Sequence, residues 1–159
     1  MNPIHSIYYL PGRNETCLEH AGAVLKKAGL SFHGRDMTAD FLRLAFDRQI
    51  ETIREDIKKR FMDESSLIIG RSYGGYLVLH AVCEMETYPG NVLLLNPVLG
   101  RYLNMESACG IIPPRADRLL RLAKEGGFPA IRSLVIVSGE KDSQCPSGTA
   151  HEFIQALKG

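Results

Sequence analysis

Gly70-Arg71-Ser72-Tyr73-Gly74, followed by Gly75, is the segment whose residue types and spacing could do chemistry. The serine has a glycine two residues before and two after it. It sits directly after the apolar run Leu67-Ile68-Ile69 and directly before a helical pattern. In that strand–turn–helix context the turn lifts the hydroxyl to the top of a sheet and strains the serine backbone, and the small neighbours let adjacent backbone pass close by. A helix N-terminus then favours the negative charge that develops during acyl transfer. The chemistry would be attack by Ser72 on a carbonyl carbon. The alternative is a glycine-rich connection with no catalytic task.

Positioning such a serine requires strands and helices in alternation, and the sequence supplies them. Ile4 to Leu10 reads as a first strand ended by Pro11-Gly12. Asn14 can cap a helix carrying Cys17, Leu18, Ala21, Val24, Leu25 and Ala28, with Gly29 as its stop. Leu30 to His33 is a second strand, and Ile50, Ile53, Ile57 and Phe61 mark an amphipathic helix from Asp47 to Phe61. Ser66 to Ile69 is a strand of the kind buried on both faces, and Ser72 to Glu84 a helix apolar nearly all round. After a turn at Tyr88-Pro89-Gly90 come a fourth strand, Val92 to Leu95, a fifth, Ser133 to Val137, and a closing helix, Thr149 to Leu157. Right-handed crossovers then predict one domain over residues 1–159. Its fold class is α/β, a doubly wound parallel sheet of about five strands in the order 2-1-3-4-5, covered on both faces. The long excursion 96–132 holds a predicted helix from Pro114 to Glu125. Arg115, Arg118, Arg121 and Lys124 fall on it as a basic stripe, which reads as a solvated face or as a site for an anionic substrate.

Composition narrows the partners. With 19 Lys+Arg against 18 Asp+Glu, a formal net charge of +1 argues against a counterion-driven nucleic-acid binder. No apolar run approaches membrane-spanning length and the N-terminus lacks signal-peptide character, so cytoplasmic localisation is expected. Cys17, Cys83, Cys109 and Cys145 are too far apart in sequence for a zinc or redox motif and read as reduced thiols. Gly70-x-x-x-Gly74-Gly75 lacks the Lys-Ser/Thr of a Walker loop, and no dinucleotide fingerprint or paired metal ligands appear. No cofactor or metal is implied.

Over most of its length the sequence resembles the α/β-hydrolase superfamily, in particular its small single-domain serine esterases. Three places carry the resemblance: the first strand with Leu10-Pro11-Gly12-Arg13-Asn14, similar to the oxyanion loop; the turn around Ser72; and Ser138-Gly139-Glu140-Lys141-Asp142 with Pro146, similar to the Gly-x-x-Asp-x-x-x-Pro segment. The resemblance implies hydrolysis of a small to medium carboxylic ester or thioester. Ser72 would be nucleophile, the backbone N–H groups of Arg13 and Tyr73 an oxyanion hole, and Asp142 the acid that orients a histidine. Glu140 is the fallback acid, and Asp142 otherwise is a plain turn residue. Leu103, Met105, Ile111 and Ile112 are apolar enough to line an acyl pocket.

The histidine departs from the family pattern, which places it after one more helix and one more strand. His5 lies at the wrong end of the first strand, His80 about 12 Å along the helix from Ser72, and His20 and His33 on outer elements. Only His151 follows Asp142 in chain order; otherwise it is an exposed helix residue. The chain therefore reads as a minimal α/β-hydrolase lacking the last strand, and three alternatives stand open. His151 serves as base, the histidine lies in a segment not in this sequence, or the fold persists as a non-catalytic binding module. The fifth strand, left at an open edge, invites pairing with a second copy.

Overall fold

The computed structural model describes residues 3–104, 109–142 and 147–158. Five strands pair in parallel. β1 (Ser6–Leu10), β2 (His33–Gly34), β3 (Ser66–Arg71), β4 (Thr87–Leu95) and β7 (Ala130–Val137) lie in the order β2-β1-β3-β4-β7, as the alternating pattern predicts. The register aligns Tyr8 with Ile68, Ile68 with Val92 and Val92 with Leu134, so one apolar residue from each of β1, β3, β4 and β7 faces the same side. The remaining strands, β5 (Tyr102–Asn104) and β6 (Cys109–Ile111), form a separate antiparallel pair inside the excursion.

Helices α1 (Ala21–Lys27), α2 (Ala39–Leu42), α3 (Phe46–Arg60), α4 (Tyr73–Val82), α5 (Arg118–Lys124) and α6 (Ser147–Lys158) complete the chain. The apolar stripe of α3, Ile50, Ile53 and Ile57, is buried, and Lys58, Lys59 and Arg60 sit in its last turn, where they complement the helix dipole. Every residue of α4 is buried, which explains its lack of a polar face. With Tyr8, Leu10, Ile68, Val92 and Leu94 these helices form the main core, joined by Leu119 and Ala123 of α5 and Ala150 and Phe153 of α6.

Coverage of the two faces differs from the expectation. The second core holds only Ile7, Tyr9 and Ile69, with Ala21 and Leu25 of α1 packed on them. Cys17 and Phe32 pack there too, and among the described residues the rest of that face is more open: Leu93 and Leu95 are half-buried, and Val135 and Val137 are 49% and 51% exposed. Handedness is the cause. The crossover from β1 to β2 runs one way along the sheet, and those through β3, β4 and β7 run the other. Right-handed crossovers thus put one helix on one face and the rest on the opposite face.

Local corrections follow from tertiary pairing. The second strand shrinks to His33–Gly34, because only these residues meet Tyr8 and Tyr9. Tyr88-Pro89-Gly90 is not a turn but the irregular start of β4, with a register shift between Tyr88 and Asn91. The first helix begins at Ala21, not near Asn14. A turn braced by Glu19, whose Oε2 accepts the Thr16 N–H at 2.6 Å, takes up the preceding residues. The excursion's helix covers Arg118–Lys124, with Pro114 to Asp117 as turns.

Candidate active site

Ser72 stands between β3 and α4 with φ 50° and ψ −122°, a conformation that side-chain-bearing residues rarely hold. Two features enforce it. The Ser72 N–H donates to Leu95 O of β4 at 3.0 Å, and the Ser72 carbonyl accepts from Gly75, Tyr76 and Val98. Gly74 lets the turn close onto β1, since a Cβ there would lie 2.2 Å from Pro11 O and 2.4 Å from Leu10 O. Ser72 itself is half-buried.

The loop after β1 lies against this turn. Its amides are nearly all consumed: Gly12 N–H donates to Glu15 Oε2 at 2.7 Å, Asn14 N–H to Met37 O at 2.9 Å, and Glu15 N–H to Gly12 O at 3.1 Å. The Arg13 amide has no acceptor among the described residues, and neither does the Tyr73 amide at the start of α4. The Arg13 guanidinium lies over the Tyr73 ring, 5.7 Å from its centroid. Both amides singled out in the sequence are thus uncommitted, and the Gly74 amide in the first turn of α4 is too.

Asp142 follows β7 on the same carboxyl-terminal edge of the sheet, half-buried, with its N–H donating to Gly139 O at 3.1 Å. Asn96, at φ 45°, ties this loop to β4. Its N–H donates to Val137 O at 2.7 Å and its Oδ1 accepts from Gly139 N–H at 2.9 Å. Glu140 is exposed. His151 lies in α6, exposed, with neither a hydrogen bond nor an ion pair among the described residues. The structure brings Ser72, Arg13, Tyr73 and Asp142 to one edge and gives His151 no contact with them.

The other histidines are committed elsewhere. His80 is fully buried against Tyr76 and Phe46, with Nδ1 3.3 Å from Arg118 Nη1. Burial, reinforced by Arg118 and Arg115, pushes its pKa down to about 3. It is a neutral core histidine. His20 Nε2 lies 3.2 Å from Glu15 Oε1.

A groove of about 430 Å³ begins at Leu99, one residue beyond Val98, and runs between Leu120, Thr149 and Phe153 with Arg121 and Lys124 at its rim. Of the four excursion residues expected to line an acyl pocket, Leu103 has its side chain outside the described residues. Ile112 is 64% exposed, Ile111 is half-buried, and Met105 lies outside the described residues. A larger cavity of about 660 Å³, lined by Phe128, Ile131, Leu134 and Leu157, sits by the start of β7 at the opposite sheet edge from Ser72. The two described cysteines whose state is defined, Cys17 and Cys83, are free thiols that burial pushes up to about 12.

Glu15 and Asn96 escaped the sequence reading. Glu15 carried a signal: its three-residue spacing from Gly12 is that of a capping box, where an acidic side chain reaches back to a free amide. Asn96 directly follows an apolar strand, a position where asparagine readily takes positive φ.

This architecture is the α/β-hydrolase fold. A YdeN-like hydrolase of Pectobacterium atrosepticum superposes with a TM-score of 0.62 at 16% identity, over 96% of this chain and 72% of that one. A monoacylglycerol lipase of Paleococcus ferrophilus gives 0.66 at 14%, over 98% and 81%. A Rhodococcus esterase gives 0.61 at 12%, over 97% and 79%. No protein-family model matches the sequence, and a search of curated proteins returns no relative.

Proposed function

We propose that the protein is a serine hydrolase acting on a small to medium carboxylic ester or thioester. The observation that carries the proposal is the strained Ser72 backbone between a parallel strand and a buried helix, flanked by the uncommitted amides of Arg13 and Tyr73. Ser72 Oγ attacks the carbonyl carbon and its proton passes to a histidine. The two N–H groups hold the oxyanion, and the histidine returns the proton to the leaving alcohol or thiol. Water then repeats the sequence on the acyl-enzyme. Asp142 orients the base, and His151 is the histidine of this sequence that follows it. His151 is exposed on α6 and makes no hydrogen bond or ion pair among the described residues. The resemblance to an esterase and a monoacylglycerol lipase supports ester bonds as the target. Free thiols at Cys17 and Cys83 suit the cytoplasm as its compartment.

A second reading is a non-catalytic binding module on the same fold. It is favoured by the commitment of His20 to Glu15 and of His80 to Arg118, and by the exposed place of His151. A fluorophosphonate probe separates the two. Covalent labelling at Ser72, abolished by Ser72→Ala with stability unchanged to within about 1 kcal/mol, is the outcome expected of the hydrolase. An inert Ser72 in the intact protein leaves the binding module. His151→Ala then reports the base. Ester turnover should fall at least a hundredfold if His151 serves and stay unchanged if it does not.

A further inference from the structure

The structure assigns Glu15 as the positioning residue of the oxyanion loop, a role that rests on the acyl-transfer chemistry proposed for Ser72. Its carboxylate divides between two segments. Oε2 accepts the Gly12 N–H at 2.7 Å. Oε1 is held by the Arg71 guanidinium and lies 3.2 Å from His20 Nε2. Gly12 immediately precedes Arg13, and Arg71 immediately precedes Ser72. One carboxylate thus joins the residue before the loop's donor to the residue before the nucleophile.

The surroundings fix Glu15 as firmly as it fixes them. Its N–H donates to Gly12 O at 3.1 Å and its carbonyl accepts the Met37 N–H at 2.9 Å. Its side chain is 19% exposed, so its charge-assisted bonds are made largely out of water, where they are strongest. A Cβ on Gly12 would stand 2.7 Å from Glu15 Oε2 and 3.0 Å from Arg71 Nη1, which shows how tightly the loop closes on the carboxylate. His20 meets Oε1 from a backbone at φ 48° and ψ −116°, nearly the angles of Ser72. Such a conformation persists where surrounding contacts over-determine it.

The consequence for catalysis is geometric. With the Gly12, Asn14 and Glu15 amides all spent, only the Arg13 N–H is left to point at a substrate. Its aim depends on the peptide before it, which Glu15 holds. An oxyanion donor must sit within a few tenths of an ångström of its place, and losing one costs roughly 10²–10³ in kcat. Releasing Gly12 loosens that donor without removing it.

The test compares Glu15→Ala and Glu15→Gln with the parent protein, using hydrolysis of p-nitrophenyl acetate and the rate of fluorophosphonate labelling. Glu15→Ala is expected to lower kcat and the labelling rate by about 10–100-fold, with KM within about threefold. Glu15→Gln keeps an oxygen for the Gly12 N–H and is expected to recover most of the loss. Should Glu15→Ala fail to fold, Arg71→Met removes the other half of the tie and is expected to lower kcat by a smaller factor at unchanged KM. Rates within twofold of the parent for Glu15→Ala, or for Arg71→Met where that variant stands in, overturn the assignment. So does a loss that appears in KM alone, or a Glu15→Gln that folds like the parent yet is as slow as Glu15→Ala. A parent protein inert to the probe sinks the serine chemistry itself. A labelled parent with an indifferent Glu15→Ala sinks only the role of Glu15.

Discussion

Among the described residues, five other than glycine hold positive φ: Asn14, His20, Ser72, Asn96 and Arg115. Four of them lie at the candidate site: Ser72 at its centre, Asn14 beside Arg13 in the loop after β1, His20 on Glu15 and Asn96 on the Asp142 loop. Each such residue costs of order 1–3 kcal/mol, and burial elsewhere must offset it. Arg115 belongs to a second arrangement. It bridges Asp47 and Glu84 while Arg118 holds Glu84 and meets His80. His80 there makes a prediction of its own. Its folded pKa of about 3 lies below the value near 6.5 of an unfolded chain, so the unfolded state binds the extra proton between those limits. The stability His80 allows is therefore whole above about pH 6.5 and declines as pH falls towards 3. Between pH 7 and pH 5 the loss should be about 2 kcal/mol. Urea unfolding of the parent and of His80→Leu at both pH values checks it. A parent whose pH dependence matches that of His80→Leu would contradict a neutral buried imidazole.

At the scale of elements, the turn from β3 into α4 works because Gly74 brings it against the end of β1. A methyl group at Gly74 meets backbone oxygens that cannot rotate away, those of Leu10 and Pro11. Gly74→Ala should cost at least 1–3 kcal/mol, the usual range for overpacking, and slow Ser72 labelling by more than tenfold. Gly148→Ala, with open space around its Cβ, should be neutral or slightly stabilising. Denaturant midpoints and labelling rates measured together on the two variants decide the matter; equal behaviour would remove close packing as the reason for the glycine. This turn was legible in the sequence because strand, glycine spacing and helix are all local features. So were β1, α3, α4 and the strand order, each carried by periodicity or chain direction. The start of β4 was not, because Tyr88-Pro89-Gly90 has turn chemistry and becomes strand only by pairing with β7. Nor was β2, whose length is set by what Tyr8 and Tyr9 can reach. Among the site residues, Ser72 was readable from its own neighbours. The contribution of Glu15 needed the folded proximity of Gly12 and Arg71.

For the whole molecule, the direction of the crossovers decides where apolar surface is left. Everything after β2 runs one way along the sheet, so α3, α4 and α5 crowd one face, α6 joins them, and among the described helices α1 alone serves the other. None of the described helices is long and apolar enough to cross a membrane. Part of the exposed apolar surface lies on β7, where no residue is fully buried and Val135 and Val137 stand about half exposed beside the half-buried Leu93 and Leu95. Among the described residues, no strand pairs with the far edge of the eight-residue β7. Long apolar edges of this kind template pairing with another chain unless charge or proline blunts them. Arg132, paired with Glu64, is the strand's one charged residue. The parent protein should accordingly self-associate in a concentration-dependent way. Val135→Lys combined with Val137→Thr should hold it monomeric, with stability changed by less than about 1 kcal/mol because both side chains are already half in water. Sedimentation velocity over a hundredfold concentration range reads the difference. If the parent sediments as a monomer throughout, the edge is blunted by its own twist or by an unrecognised cover, and the apolar face has no part in self-association. If the variant still associates, the contact lies elsewhere on the surface.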